Sequence, residues 1–195
     1  MEPNLFSVLF NKTISTVIAL GSLFYTAIPG VTPDMGPVEV TANGSVLMVS
    51  TRIQHAFSTD LDQIFSSGMD VALHYKIQLV EINGAPRVVK TVALTKTLAY
   101  SLLDQTYQVT DSETQESDGD MGLEDAKERW STLQHLRLAG YEELQPGKEY
   151  EVRVTAWLDK IRVQGKEEPL NLMAYWNRTR PLGVSPRFTR SLLEQ

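Results

Sequence analysis

The fold of this chain is decided by the stretch from Leu144 to Trp176, LQPGKEYEVRVTAWLDKIRVQGKEEPLNLMAYW. It opens with the turn-forming pair Pro146-Gly147, and every second residue from Tyr150 to Leu158 is apolar. Because successive side chains of a strand point to opposite faces of a sheet, this alternation predicts a strand with one buried face. The apolar phase changes after Asp159-Lys160, so we expect a bulge or turn there. A final short strand is predicted over Leu170–Trp176.

Earlier segments repeat the same kind of pattern. The strand-like runs are Val38–Ala42, Ser45–Ile53, Val71–Ile82, Arg87–Thr97 and Leu98–Val109, the last being less regular. Asn43-Gly44 separates the first two runs and Asn83-Gly84 follows the third. Asn-Gly is a strong hairpin signal because both residues tolerate positive φ. The sequence therefore predicts antiparallel strands connected by hairpins.

Two segments have the periodicity of helices. Ser58–Gly68 has a capping serine, acidic residues in its first turn and a glycine at its exit, which predicts a short helix. Leu123–Ala139 places apolar or long side chains at intervals of three and four residues, which predicts a long helix. The fold class is therefore mainly β (α+β), an antiparallel sheet or sandwich-like domain with one long and one short helix.

The chain divides into four predicted regions. Residues 1–30 contain Thr13–Ile28, a run without charge, which predicts an N-terminal hydrophobic helix that acts as an export signal or membrane anchor. The alternative is a buried helix of a soluble domain. Residues 31–37 are predicted to be a linker, residues 38–176 a β-rich domain, and residues 177–195 a basic C-terminal tail. The residues of the membrane segment are Ile14, Val17, Ile18, Leu20, Leu23 and Phe24.

Composition excludes several classes of function. A net charge of −6 and a pI of about 5.1 argue against nucleic-acid binding, which needs a basic footprint. The absence of cysteine excludes disulfides, thiolate metal sites and cysteine nucleophiles. His55, His74 and His135 fit no metal-ligand spacing, and no G-x-S-x-G motif or P-loop is present. We therefore predict a protein that is not an enzyme and that has no cofactor or metal.

An acidic segment and a set of aromatic and basic residues remain. Asp111–Asp120 does not match a calcium-binding loop and is predicted to be a solvated loop. Trp157 breaks the polar face of its strand, and arginines follow Trp176. Arginine beside aromatic residues suits docking to an acidic partner or to anionic lipid; the alternatives are a packed tryptophan and a solvated terminus. The predicted partner-binding residues are Trp157, Trp176, Arg178, Arg180, Arg187, Phe188 and Arg190.

The order of these parts resembles the bacterial family called domain of unknown function 4390, over about Val38 to Trp176. The residues that carry the resemblance are Leu61, Gly68, Leu144, Gly147, Tyr150, Val152, Val154, Leu158, Asp159, Pro169, Leu170 and Trp176. The acidic loop and the arginine-rich ending depart from the family pattern. The resemblance implies an exported or membrane-tethered protein on the periplasmic side of the bacterial inner membrane, and it transfers no catalytic residues.

We expect, first, a non-enzymatic, envelope-associated binding or accessory subunit of a membrane or periplasmic complex. Its partners would be other envelope or membrane proteins, and its N-terminal segment would contact the membrane. The second hypothesis is a carrier of a small apolar ligand, a lipid or pigment, held between sheet and helix. An enzyme of unrecognised type comes third.

Overall fold

The computed structural model describes residues 30–113, 117–163 and 167–193. In chain order its strands are β1 (Asp34–Met35), β2 (Glu39–Asn43), β3 (Val46–Gln54), β4 (Val71–Glu81), β5 (Arg87–Ser101), β6 (Thr106–Asp111), β7 (Ser117–Met121), β8 (Thr132–Gly140), β9 (Glu149–Leu158), β10 (Lys160–Ile161), β11 (Leu170–Asn171), β12 (Leu182–Val184) and β13 (Phe188–Thr189). The α-helices are α1 (Thr59–Phe65) and α2 (Leu123–Ser131), and 3-10 turns cover Tyr141–Glu143, Leu172–Trp176 and Arg190–Leu193.

The strands form two main sheets. The larger has the order β12-β9-β4-β5-β6-β7, and β13 also pairs with β9. The smaller has the order β1-β3-β2, and β8 also pairs with β3, while β10 and β11 form a separate two-stranded sheet. The recorded pairings are antiparallel. The fold is thus β-rich and antiparallel with two helices in the described part of the chain, as the sequence predicts.

Local sequence signals account for the hairpins and for the short helix. β2 and β3 pair from Asn43↔Val46 outward, and Gly44 between them has a φ of 59°, a value at which glycine avoids the strain of a side chain. The hairpin predicted from Asn43-Gly44 is confirmed. In α1, Ser58 caps the first turn by accepting a hydrogen bond from the Leu61 amide at 3.3 Å. The short helix predicted over Ser58–Gly68 is therefore confirmed, with slightly narrower bounds.

The predicted long helix over Leu123–Ala139 is wrong in its second half. The helix ends at Ser131, and the chain continues directly as β8. β8 pairs with β3 and contains a register shift around His135, whose φ is 50°. This bulge adds one residue between Leu133 and Leu136, so that two residues of one strand face stand three apart. A second register shift lies between Arg137 and Ala139, so a strand with two irregularities acquires the spacing of a helix.

The predicted linker over residues 31–37 is also part of the fold. Asp34 and Met35 pair with Gln54 and Ile53 of β3, and the Gly36 amide donates to the Arg52 carbonyl at 2.8 Å. Prolines on both sides keep the strand to two residues, which is why it carries too little alternation to be detected.

The predicted tail over residues 177–195 is wrong for its described part as well. β12 pairs with Arg153–Thr155 of β9, and β13 pairs with Glu149 and Tyr150 of the same strand. Pro181 precedes β12, and Pro186 separates β12 from β13. Because proline is confined to strand ends and edges, these short strands lie at the margin of the sheet, and neither is long enough to show a clear period.

Two smaller predictions need the same kind of correction. The predicted strand over Leu170–Trp176 is a strand only at Leu170–Asn171, after which Asn171 caps a 3-10 turn by accepting from the Met173 amide at 3.1 Å. The predicted loop over Asp111–Asp120 contains the end of β6 and most of β7. In β7, Asp118 accepts a hydrogen bond from Arg129 at 2.6 Å, so an ion pair to α2 fastens this acidic strand.

The core lies between the inner face of the larger sheet and the layer formed by the smaller sheet and the helices. Trp130 of α2 is buried there, and its indole nitrogen donates to the carbonyls of Val71 and Lys96 at 3.3 and 3.1 Å. Its ring packs against Phe65, with ring centroids 5.2 Å apart, and against Phe57, at 6.1 Å. Side chains therefore fill the centre of the molecule, and the opposite face of the larger sheet carries the remaining surface.

Candidate interaction surface

The outer face of the larger sheet is the face directed away from this core. Since side chains alternate along each strand, the pairing register fixes which residues stand together on it. Each of these residues is exposed or half-buried, whereas most of their inward neighbours are buried. Across the strands the rows are Thr95-His74-Trp157, Ala93-Lys76-Thr155-Leu182 and Thr91-Gln78-Arg153-Val184.

Trp157 is the centre of an aromatic and basic cluster on the outer face. The His74 ring stacks on its indole with centroids 5.4 Å apart and an interplanar angle of 19°. The Arg180 guanidinium lies 5.5 Å from the indole centroid, a cation–π arrangement. The two neighbours hold the half-buried indole in a fixed orientation, so it presents a rigid apolar edge to an approaching molecule.

Polar contacts position His74 from both sides. Its Nδ1 lies 2.9 Å from the Thr95 hydroxyl, and its Nε2 lies 3.4 Å from the Asp159 carboxylate. Asp159 directly follows β9 and accepts from the Lys160 amide at 2.7 Å. The His74 imidazole therefore forms one short hydrogen bond, with the Thr95 hydroxyl, and one long, weak contact, with the Asp159 carboxylate. Stacking on Trp157 sets the plane of its ring. This arrangement fixes the orientation of the His74 ring on the outer face.

An aliphatic edge adjoins this cluster. Leu182 and Val184 of β12 are 60% and 47% exposed. Between them, Gly183 faces inward so closely that a Cβ there would lie 2.5 Å from Met35 Cγ and 2.7 Å from Val38 Cγ2. Only glycine fits at that inward position, and strand alternation then directs both aliphatic neighbours outward. The exposure of Leu182 and Val184 follows from the packing of Gly183.

The structure divides the predicted partner-binding residues into three groups. Trp157 and Arg180 come together on the outer face, and Arg178 is exposed two residues before Arg180. Arg187 is exposed near β13, and Arg190 reaches the Leu144 carbonyl at 3.5 Å. The last two, Trp176 and Phe188, are not part of an accessible surface.

Both aromatic residues of that last group belong to the core. Trp176 is 0% exposed, and its indole nitrogen donates to the Ala56 carbonyl at 2.8 Å. Phe188 is buried against Tyr150, with ring centroids 6.1 Å apart. Neither side chain can reach a partner without unfolding, so they anchor the C-terminal segment to the domain.

Sequence reasoning missed three members of this surface. In the sequence His74 fits no metal-ligand spacing and is assigned no role, but in the structure it pairs with Trp157 on the adjacent strand. Leu182 and Val184 alternate with Gly183 and Ser185, and this short alternation was the available signal.

The membrane segment that includes Ile14, Val17, Ile18, Leu20, Leu23 and Phe24 lies outside the described residues. Within them, no helix is long and apolar enough to cross a membrane.

Ionisable side chains buried elsewhere have structural roles. Burial lowers the pKa of the Lys96 ammonium to about 8, and the nearby Arg129 charge acts in the same direction. This ammonium donates to the Arg129 carbonyl at 2.9 Å and to the Thr132 carbonyl, which are acceptors left at the end of α2. Lys127 is likewise held between Asp62 and Glu124 at 2.8 Å each. Both lysines fasten helices to their surroundings.

The other two histidines stand apart from each other and from His74. His55 lies 2.7 Å from the Asp34 carboxylate at the surface, and the exposed His135 occupies the bulge of β8. In residues 30–113, 117–163 and 167–193, no group of three or more histidine, aspartate or glutamate residues could hold a metal ion.

Two clefts on the surface are bordered in part by charged side chains. One of about 280 Å³ lies between the larger sheet and β8 and is bordered by Lys96, Asp111, Arg129 and Arg137, among others. Another, of about 410 Å³, is bordered by Asp70, Asp159, Lys160 and Arg162 at the end of β9. Ligand sites for apolar molecules are mostly apolar in lining, so these clefts suit water and ions better than a lipid.

The family model described as "Domain of unknown function (DUF4390)" matches residues 34–178. Because the match covers most of the chain, this protein belongs to that family. No curated protein and no solved structure matches the chain. The matched range runs from β1 to Arg178, so it includes β9 with Trp157 and stops before β12.

Proposed function

We propose that this protein is a non-enzymatic, envelope-associated binding or accessory subunit, and that it binds another envelope protein through the outer face of the larger sheet. The observation that carries the proposal is the continuous outer face, where Trp157, Leu182 and Val184 remain accessible beside basic side chains. Aromatic residues and arginine are enriched in protein interfaces, and an apolar patch that folding does not bury often marks one.

The chemistry of the face favours a partner with an acidic and partly apolar surface. Lys76, Arg153 and Arg180 contribute three bases to the outer face. Two acids lie beside them, Glu151, which pairs with Arg153 at 2.6 Å, and Asp159, which faces His74. Lys76 thus provides positive charge next to the apolar edge. Complementary charge would speed association and fix orientation, while burial of Leu182 and Val184 would supply most of the affinity.

The location in the envelope is supported by the uncharged run Thr13–Ile28, whose length suits an export signal or an anchor. Fractionation of the producing bacterium tests this part directly. We expect the full chain, or its processed form, in the membrane or periplasmic fraction. A soluble cytoplasmic protein with an intact N-terminus would contradict the proposal.

Site-specific photo-crosslinking tests the binding face in the living cell. A photoreactive phenylalanine analogue at position 182 should give a discrete adduct with a second envelope protein. Position 103 is the matched control, because Leu103 is 83% exposed in the turn between β5 and β6 and lies off the outer face. Lys76→Glu should weaken the adduct at 182 severalfold by placing an acid opposite the acidic partner. Equal adducts at 182 and 103, or no response to Lys76→Glu, would refute the proposed face.

The carrier hypothesis has less support. Trp130, Trp176 and Tyr75 are among the largest fully buried side chains, and they occupy the interior that a carrier would keep open. The two clefts of about 280 and 410 Å³ are bordered in part by charged residues. These observations favour recognition on the surface over an enclosed apolar ligand.

A further inference from the structure

The chain that precedes the domain joins it at one defined corner. The Val31 amide donates to the Tyr175 carbonyl at 2.9 Å. The Asn177 side-chain amide donates to the Gly30 carbonyl at 3.0 Å and lies 3.1 Å from the Thr32 hydroxyl. A Cβ at Gly30 would lie 2.3 Å from Asn177 Oδ1, so the entering chain is held tightly against Asn177. We call this place the entry corner.

The entry corner is close in sequence to the uncharged run. Ile28, the last residue of that run, is two residues before Gly30. Two extended residues span about 7 Å at most. If Thr13–Ile28 enters a bilayer, as the proposed function supposes, then Asn177 and its neighbours lie at the level of the lipid headgroups.

The residues that follow Asn177 have the chemistry that headgroups select. Asn177 and Arg178 both have positive φ, 48° and 58°, and the Arg178 amide donates to the Met173 carbonyl at 2.7 Å. This reversal leaves Arg178 exposed beside the entry corner. Arg180 is also exposed and lies over the Trp157 ring. The three residue steps from Asn177 to Arg180 span at most about 10 Å. Arginine binds phosphate with a planar fork of donors, and tryptophan is enriched at membrane interfaces.

We infer that Arg178, Arg180 and Trp157 contact the headgroups of anionic phospholipids and hold the domain upright on the membrane. This inference rests on the proposed envelope association and adds an orientation to it. β9 would run from its Trp157 end at the membrane to its Tyr150 end far from it. Leu182, Val184 and Lys76 then stand above the headgroups, where a partner protein can reach them.

Arg187 provides an internal control for this geometry. It is an exposed arginine of the same C-terminal segment, but it adjoins β13, which pairs with Glu149 and Tyr150 at the opposite end of β9. Trp157 lies seven residue steps along the strand from Tyr150, a distance of about 23 Å. An upright domain therefore keeps Arg187 away from the headgroups to which Arg178 binds.

The experiment uses the full chain in two kinds of lipid vesicle, phosphatidylcholine alone and phosphatidylcholine mixed with phosphatidylglycerol. The readout is quenching of tryptophan fluorescence by a lipid spin-labelled on its headgroup. Trp130 and Trp176 are 0% exposed, so Trp157 supplies the quenchable signal, and Trp157→Phe should abolish the quenching. We expect stronger quenching in vesicles that contain phosphatidylglycerol.

Neutralising Arg178 should reduce the docked state selectively. Arg178→Gln should lower the ratio of docked to undocked domain about fivefold, because a base near an anionic surface contributes an interaction of that size. Arg187→Gln should leave the quenching unchanged. Arg180 is left intact because it contacts the Trp157 ring itself. Equal quenching in both lipids, or equal effects of the two arginine variants, would overturn the inference.

Flotation of the same samples separates this inference from the proposed function. A full chain that floats with the vesicles but shows no lipid-dependent quenching would overturn the orientation alone and leave envelope association standing. A full chain that fails to float with either lipid would overturn the inference together with the membrane anchor on which it rests, whereas the proposed function is overturned only by the cytoplasmic outcome of the fractionation.

Discussion

The two faces of the larger sheet are built on the same strands but obey different constraints. On the inner face, Tyr75, Val154 and Leu158 are at most 2% exposed and pack against the helices and the smaller sheet. On the outer face, His74 and Trp157, which alternate with these inner residues, are both half-buried. Burial of apolar surface contributes about 25 cal/mol per Å², so the inner residues are explained by folding. Folding does not account for the exposed apolar residues of the outer face, and the binding that we propose would account for them.

The largest expected effect is on the inner face. Trp130→Ala should lower the free energy of unfolding by about 3–5 kcal/mol, the range for removing a large buried aromatic side chain. The variant also leaves the Val71 and Lys96 carbonyls without the indole donor. Urea unfolding followed by circular dichroism measures this loss. With Leu103→Ala as an exposed control, a loss below about 1 kcal/mol would show that Trp130 does not organise the core.

The next effect depends on pH and concerns Lys96. Its pKa is about 8 in the folded protein, below the ordinary lysine value of about 10.4. Below pH 8 both folded and unfolded states hold the proton, and the cost of burying the charge is fully present. As the pH rises from about 8 to about 10.5, only the unfolded state keeps the proton, so stability increases with pH. The expected gain is about 3 kcal/mol.

The variant Lys96→Met isolates the contribution of the Lys96 ammonium to the pH dependence of stability, because the other ionisable groups titrate alike in the variant and in the native protein. Unfolding of each in urea at pH 7 and at pH 10.5 gives the measurement. The stability of the native protein relative to Lys96→Met should rise between these pH values. A constant difference would mean that the ammonium, despite its 2% exposure, titrates as it does in water.

An intermediate effect is expected at Gly183, where the two faces meet. Gly183→Ala places a Cβ 2.5 Å from Met35 Cγ, and this overpacking should cost about 1–3 kcal/mol. Gly119→Ala in β7 is the matched control, because its Cβ would have no atom within 4 Å. Thermal unfolding of both variants is the measurement. If the two variants were equally stable, the inward packing of β12 would be refuted.

The inner face could be predicted from sequence, and the outer site could not, for a physical reason. Alternation from Tyr150 to Leu158 reports burial directly, and it located β9. The site depends on residues brought together by pairing, such as His74 with Trp157, and register is not encoded in either strand alone. In the sequence, Trp176 and Phe188 match the pattern of a binding surface, because they are aromatic residues beside arginines. Only the fold shows that both are buried.

Irregularities in the backbone explain the remaining errors. The bulge at His135 gave β8 the spacing of a helix, and the prolines around β1 and β12 shortened those strands below the length at which a period is visible. Such features depend on contacts with β3 and β9, which lie far away in sequence. Long regular strands were therefore predictable, and short edge strands were not.

The smallest expected effect on stability tests the comparison most sharply. The double variant Leu182→Ser/Val184→Ser should change the free energy of unfolding by less than about 0.5 kcal/mol, the usual range for exposed positions. The same variant should lose most of the photo-crosslinking to a partner, monitored from a probe at position 155, which pairs with Leu182 on the outer face, because it removes the aliphatic edge that we propose to be buried on binding. Leu103→Ser, at an exposed leucine elsewhere, should preserve both properties. A large loss of stability in the double variant would show that Leu182 and Val184 are needed for the folding of the sheet edge. The outer face available for binding would then extend only as far as β9 and would not include β12.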